Sequence, residues 1–110
     1  MTISRIKPRK YRNCPTQGYD SKKEHKRAVD LKLLERVGQI SDLKEQVKFH
    51  FHTLAYASGR KIFYVADFTY TEDHHYIVED VKSPITANNP AYKIKKALMK
   101  YFHNIDIIET

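Results

Sequence analysis

Apolar positions along this chain recur with two periods. Between residues 21 and 37, Ala28, Leu31 and Leu34 make a stripe at helical spacing, widened by Val29, Leu33 and Val37, and Gly38 is a natural stop. From residue 47 the period changes to two: Val47, Phe49 and Phe51 alternate with Lys48, His50 and His52, predicting a strand over 47–57. Ser58-Gly59 turns the chain into a second strand, 60–70. From Ile62 to Tyr70 it is almost wholly apolar, as a central strand covered on both faces would be. A third strand is expected over 76–82. Residues 83–88 read as a loop. Asn89-Pro90 is a helix start, an N-cap followed by proline at the first helical position, for a helix running to about Phe102. Its inward face is expected to be Ala91, Ile94, Leu98 and Phe102. Ile105, Ile107 and Ile108 suit a short last strand over 104–109. The order is α-β-β-β-α-β, a sheet flanked by helices.

Against that apolar background three charged residues stand out: Asp67 in the second strand, and Asp80 and Lys82 in the third. Ionised groups inside apolar strands are costly unless compensated. The short polar linker Thr71-Glu72-Asp73-His74-His75 predicts a hairpin. A turn centred on Asp73-His74 sets Asp67 directly opposite Asp80, with Cβ atoms roughly 4.5–5.5 Å apart. Like charges so placed repel, and a shared divalent cation would reverse the penalty. Lys82, two residues on, emerges on the same face as Asp80. Glu79 alternates with Asp80 and is expected to face away; a different register or a bulge would make it the fallback ligand. Two carboxylates suit Mg²⁺ or Mn²⁺, and a lysine beside them suits phosphodiester chemistry. The residues thus point to a metal-dependent nuclease.

Length and charge sharpen this reading. At 110 residues and 41% hydrophobic content the chain fits one domain with one modest core. No apolar run reaches membrane-span length and no signal peptide is present, so a cytoplasmic setting is expected. Cys14 is alone, which excludes a disulfide framework and a cysteine-based zinc site. The net charge of +7 is carried by residues 1–27, where Arg5, Lys7, Arg9, Lys10, Arg12, Lys22, Lys23, Lys26 and Arg27 face only Asp20 and Glu24. Residues 1–19 are therefore expected to be a basic, flexible arm, and 20–110 the folded domain. A basic arm beside a nuclease site suits a DNA backbone. The histidines His50, His52, His74 and His75 lack a third spaced ligand and read as strand and turn residues.

The order α-β-β-β-α-β with Asp67…Asp80-Val81-Lys82 resembles the restriction-endonuclease-like, or PD-(D/E)xK, nuclease superfamily. More closely, five segments resemble a family of small phage and prophage proteins within it: Asp20-Ser21-Lys22-Lys23-Glu24, Leu31-Lys32-Leu33-Leu34-Glu35, Tyr64-Val65-Ala66-Asp67-Phe68, Val78-Glu79-Asp80-Val81-Lys82 and Tyr92-Lys93-Ile94-Lys95-Lys96. The chain departs from it at Cys14–Gly18, which is shorter, and at Ser83, where glycine is usual. The resemblance implies an α/β (α+β) fold, a restriction-endonuclease-like αβββαβ core with a central mixed sheet flanked by helices. It implies metal held by Asp67, Asp80 and the backbone carbonyl of Val81, with Lys82 orienting or deprotonating the attacking water. It adds Glu24 as a helix-borne acid supporting the metal. The residues alone equally make Glu24 the return partner of Ser21 in a capping box. DNA contacts are expected from Arg9, Lys10, Arg12, Lys22, Lys23, Lys93 and Lys96, the last two being equally well read as a solvated helix face. The implied activity is an endonuclease in phage recombination or replication, on branched DNA such as Holliday junctions, where cutting two strands often goes with a homodimer. The alternative is a catalytically inactive nucleic-acid-binding phage protein on the same fold.

Overall fold

Helix α1 spans Lys22–Arg36 and begins where Ser21, in extended conformation, accepts the Glu24 amide on its hydroxyl at 3.0 Å. The computed structural model describes residues 21–110; the expected arm, with Arg9, Lys10, Arg12 and Cys14, lies outside the described residues. After α1 come strands β1 (Ser41–Ala55), β2 (Lys61–Glu72) and β3 (His75–Asp80), a short helix α2 (Pro84–Ala87), helix α3 (Pro90–His103) and strand β4 (Ile108–Glu109). The class is α+β. The sheet runs β1-β2-β3-β4, antiparallel across the first two pairs and parallel between β3 and β4, so it is mixed and β2 is interior.

The β2–β3 register matches the expectation: Phe68 pairs with Glu79, Thr69 with Val78, Tyr70 with Ile77 and Glu72 with His75. The loop is the dipeptide Asp73-His74, with φ of 50° and 66°. Two successive left-handed residues are what a two-residue hairpin needs to match strand twist, and Asp and His tolerate that region better than most non-glycine residues.

Neighbouring strand residues point to opposite faces. Ile77 packs with Ala28, Leu31, Phe68 and Tyr70 beneath α1, while Val78 packs with Phe51, Tyr64, Ala66, Met99 and Ile107 beneath α3. The helices therefore cover opposite faces. Strand β2 switches sides at Asp67: Tyr64 and Ala66 lie with the α3 cluster, Phe68 and Tyr70 with the α1 cluster, although strict alternation would keep all four together. Across from Asp67, Gln46 has φ of 54° and the ladder passes from Glu45–Phe68 to Val47–Ala66 without a Gln46–Asp67 pair. The sheet is distorted at the candidate residue.

Several expectations need correction. Strand β1 begins six residues earlier than alternation suggested; Asp42 and Gln46, both at positive φ, break the period over its first turn of sequence. The 83–88 loop contains α2, closed by a capping box between Ser83 and Thr86. Val29, Leu33 and Val37 do not widen the buried stripe of α1 but are exposed. On α3 the buried positions are Tyr92 and Met99, with Leu98 and Phe102 half-buried, while Ala91 and Ile94 are exposed. The buried face is thus shifted by about one residue, with Tyr92 and Met99 in the core cluster and the Tyr92 hydroxyl donating to Glu109 of β4 at 2.7 Å. The last strand is only two residues long. No helix among the described residues is long and apolar enough to cross a membrane.

Candidate active-site cleft

Beyond the Phe68–Glu79 pair the β2–β3 ladder is continued by side chains. The Asp67 amide donates to Asp80 Oδ1 at 2.8 Å, and the Val81 amide donates to Asp67 Oδ2 at 2.9 Å. Each aspartate thus caps the other strand's backbone. The expected repulsion between opposed carboxylates is relieved by these amides. Asp80 Oδ2 also accepts the Tyr64 hydroxyl and lies 3.4 Å from the Lys82 ammonium. Asp80 is 1% exposed, so its charge is met by amide, hydroxyl and ammonium at close range.

Lys82 Nζ sits 4.1 Å from the centre of the Tyr92 ring, where the ring face favours a cation. Its backbone is tied to β4: the Lys82 amide donates to the Thr110 carbonyl and the Thr110 amide to the Asp80 carbonyl, both at 3.0 Å. The ammonium of Lys23 donates to the Lys82 carbonyl at 2.8 Å, so α1 closes over β3. Burial raises the Tyr64 phenol far above its ordinary range, and the neighbouring Asp80 raises it further; Tyr64 therefore stays a hydrogen-bond donor. Burial and the bond to Glu109 do the same to Tyr92.

A cleft of about 410 Å³ opens between these elements, lined by Ser21, Lys23, Glu24, Asp67, Val81, Lys82, Ser83 and Thr86. Of the residues expected to carry chemistry, Glu24, Asp67, Val81 and Lys82 line it together, and Asp80 lies buried behind Lys82. Glu24 is 5% exposed and accepts the Gln46 amide on Oε2 at 3.1 Å. It is inward, as its place on the α1 stripe predicted. Lys23 joins the cleft as well. Lys22 and Lys93 are exposed on helix surfaces, and Lys96 is paired to Glu109 at 2.8 Å.

Glu79 faces away, as alternation required, and is fully buried. Arg27 holds it in a fork, Nε on Oε2 at 2.6 Å and Nη2 on Oε1 at 3.0 Å, while Tyr70 and Thr110 donate hydroxyls at 2.7 and 3.0 Å. Burial pushes this carboxyl up, but the bonds from Arg27 and Tyr70 outweigh it and the net shift is downward. Its bonds leave it no part as a substitute metal ligand. Sequence reading missed Tyr64, Tyr92 and Gln46. Tyr64 and Tyr92 carried a signal, a polar tip at a position patterned as core, where a partner is usually required.

The donor set facing the cleft is oxygen only, which fits a hard cation in type. Among the described residues no group of three or more His, Cys, Asp or Glu is arranged to hold a metal. Mg²⁺ does not demand such a cage, since it binds through one or two carboxylates and keeps several waters. Glu24, Asp67 and the Val81 carbonyl are the groups available to it.

No curated protein and no solved structure matches this chain. A family model does, over residues 9–108, and the chain belongs to that family, described as "Protein of unknown function (DUF1064)".

Proposed function

We propose that the protein is a Mg²⁺- or Mn²⁺-dependent DNA endonuclease on a restriction-endonuclease-like core, acting in the α1–β2–β3 cleft. One observation carries the reading: Glu24, Asp67, Val81 and Lys82, far apart in sequence, line a single cleft with Asp80 beneath. A bound ion would neutralise phosphate charge and lower the pKa of a coordinated water. Glu24, Asp67 and the Val81 carbonyl would hold it. Asp80 fixes Lys82, 3.4 Å away, and orders the Asp67 backbone. Lys82, held between Asp80 and Tyr92, orients the attacking water and offsets negative charge developing on the phosphorus oxygens. Lys23 is placed to meet a neighbouring phosphate. A branched phage substrate cut by a homodimer is part of the same proposal.

A second reading, a non-catalytic nucleic-acid binder, draws on a specific feature: both Asp80 oxygens already have protein partners. Cleavage of a labelled four-way junction, a linear duplex and a single strand separates the two. Wild type, Asp67→Asn and Lys82→Met would be compared in Mg²⁺ and Mn²⁺, with circular dichroism as the check on folding. Metal-dependent cutting lost in both variants supports the nuclease. Binding of all three substrates without cutting supports the second reading and overturns the first.

A further inference from the structure

Over residues 28–110 the formal charge balances, but the acids are unevenly spread. Gln46–Ala66 contains no Asp or Glu, and neither does Ser83–Ile105. The first stretch is the distal half of the β1–β2 hairpin, and the second carries α2 and α3. They pack on each other, Phe49, Phe51 and Tyr64 against Leu98, Met99 and Phe102. Folding thus joins two acid-free segments into one basic lobe. Among the described residues, Lys48, Arg60, Lys61 and Lys95 make no ion pair.

At the centre of the lobe is Phe63, half-buried and opposite His50 in the ladder. Lys48 of β1 holds its ammonium 4.5 Å from the Phe63 ring centre, Lys95 of α3 lies at 6.0 Å, and the His50 ring is 6.0 Å away. Two like charges from different elements converge on one ring with no carboxylate between them. The ring offsets part of their repulsion, and an external polyanion would offset the rest. Helix α3 links the lobe to the cleft, because Tyr92, under Lys82, is one turn before Lys95.

The geometry points to a nucleic-acid docking surface on this lobe, in which Lys48 and Lys95, set by Phe63, and Arg60 and Lys61 at the hairpin tip contact the phosphodiester backbone of a strand that continues into the cleft. The inference rests on the reading that the cleft takes nucleic acid, but not on its being cut. The contacts are to phosphate and carry no sequence preference.

The test is binding of the labelled junction, duplex and single strand by fluorescence anisotropy across a salt series in EDTA. Lys48→Ala/Lys95→Ala is compared with Lys32→Ala/Arg36→Ala, which removes the same charge from α1. The first pair is expected to lower the slope of log K against log salt by about 2 and to weaken binding roughly tenfold at physiological salt. The control should change affinity by less than about twofold, screened and remote as it is. Equal weakening by both pairs would mean that only net charge matters and would overturn the surface. No binding at low salt, or displacement by polyglutamate as readily as by DNA, would overturn it too. Because EDTA removes the metal, absent cleavage in Mg²⁺ together with the expected slope change would discard the nuclease and keep the surface.

Discussion

Glu79 and Asp80 are adjacent on β3, carry the same functional group and are both buried, yet they are partnered in opposite ways. Glu79 meets a guanidinium fork and two hydroxyls on the α1 side, with its acceptor sites filled by groups that do not line the cleft. Asp80, on the α3 side, is held by one amide, one phenol and one lysine whose ammonium borders an open cleft. The first set cements α1 to the sheet. The second positions a cation beside two other carboxylates. A buried acid is thus assigned to structure or to chemistry by what its partners face, not by its burial.

The largest expected effect breaks the structural side. Arg27→Met leaves a charge at 0% side-chain exposure without its counter-ion, and should cost about 3 kcal/mol in urea unfolding. Arg27→Met/Glu79→Leu should recover most of that loss, since an apolar pair of similar size is often as stable as the ion pair. On the chemical side, Lys82→Met should lower single-turnover cleavage by about two orders of magnitude. It also takes the ammonium from buried Asp80, so the urea midpoint should fall, but by less than in Arg27→Met, because the amide and the phenol still hold that carboxylate. Tyr64→Phe should cost about 1–2 kcal/mol in the same unfolding measurement, as it removes a buried donor to Asp80.

The acid limb of stability sharpens the contrast. The folded Glu79 pKa is depressed, so its contribution is complete above the unfolded carboxyl pKa of about 4.3 and is lost as pH falls through the lower folded value. Glu79→Gln should flatten that limb below the unfolded carboxyl pKa in pH-dependent thermal melts. The smallest effect concerns the turn that fixes the β2–β3 register. Asp73→Asn/His74→Gly should raise stability by about 0.5–1 kcal/mol, because glycine and asparagine adopt positive φ more readily.

Where a local rule suffices, the sequence was readable. Ser21 and Asn89-Pro90 announce α1 and α3, and both cap as expected. The turn at Asp73-His74 fixes the β2–β3 register, which brings Asp67 and Asp80 together just beyond the last ladder pair and turns Glu79 to the other face. Other features depend on distant contacts. Arg27 counts in the sequence as one more charge of the basic region, yet its partner is fifty-two residues away on β3. The face switch at Asp67 has no signature in an almost wholly apolar strand. The face that α3 buries depends on Tyr92 and Met99 packing against strands from elsewhere in the chain. The restriction-endonuclease-like ancestry and the metal chemistry stay proposals, because motif residues in one cleft define a site and not a reaction.

The Lys82 and Thr110 amides, each bonded to the other strand's backbone, also set an order of events. Parallel β4 joins β3 only through residues 108–110, after α1, the hairpin and α3 have left the ribosome. Until those residues dock, Glu79 lacks the Thr110 hydroxyl, the backbone of Asp80 and Lys82 lacks its partner, and Tyr92 lacks Glu109. The cleft is therefore assembled only after residues 108–110 have emerged and docked, and a nascent chain that already holds every charged residue of the cleft but not these would not yet hold them in place.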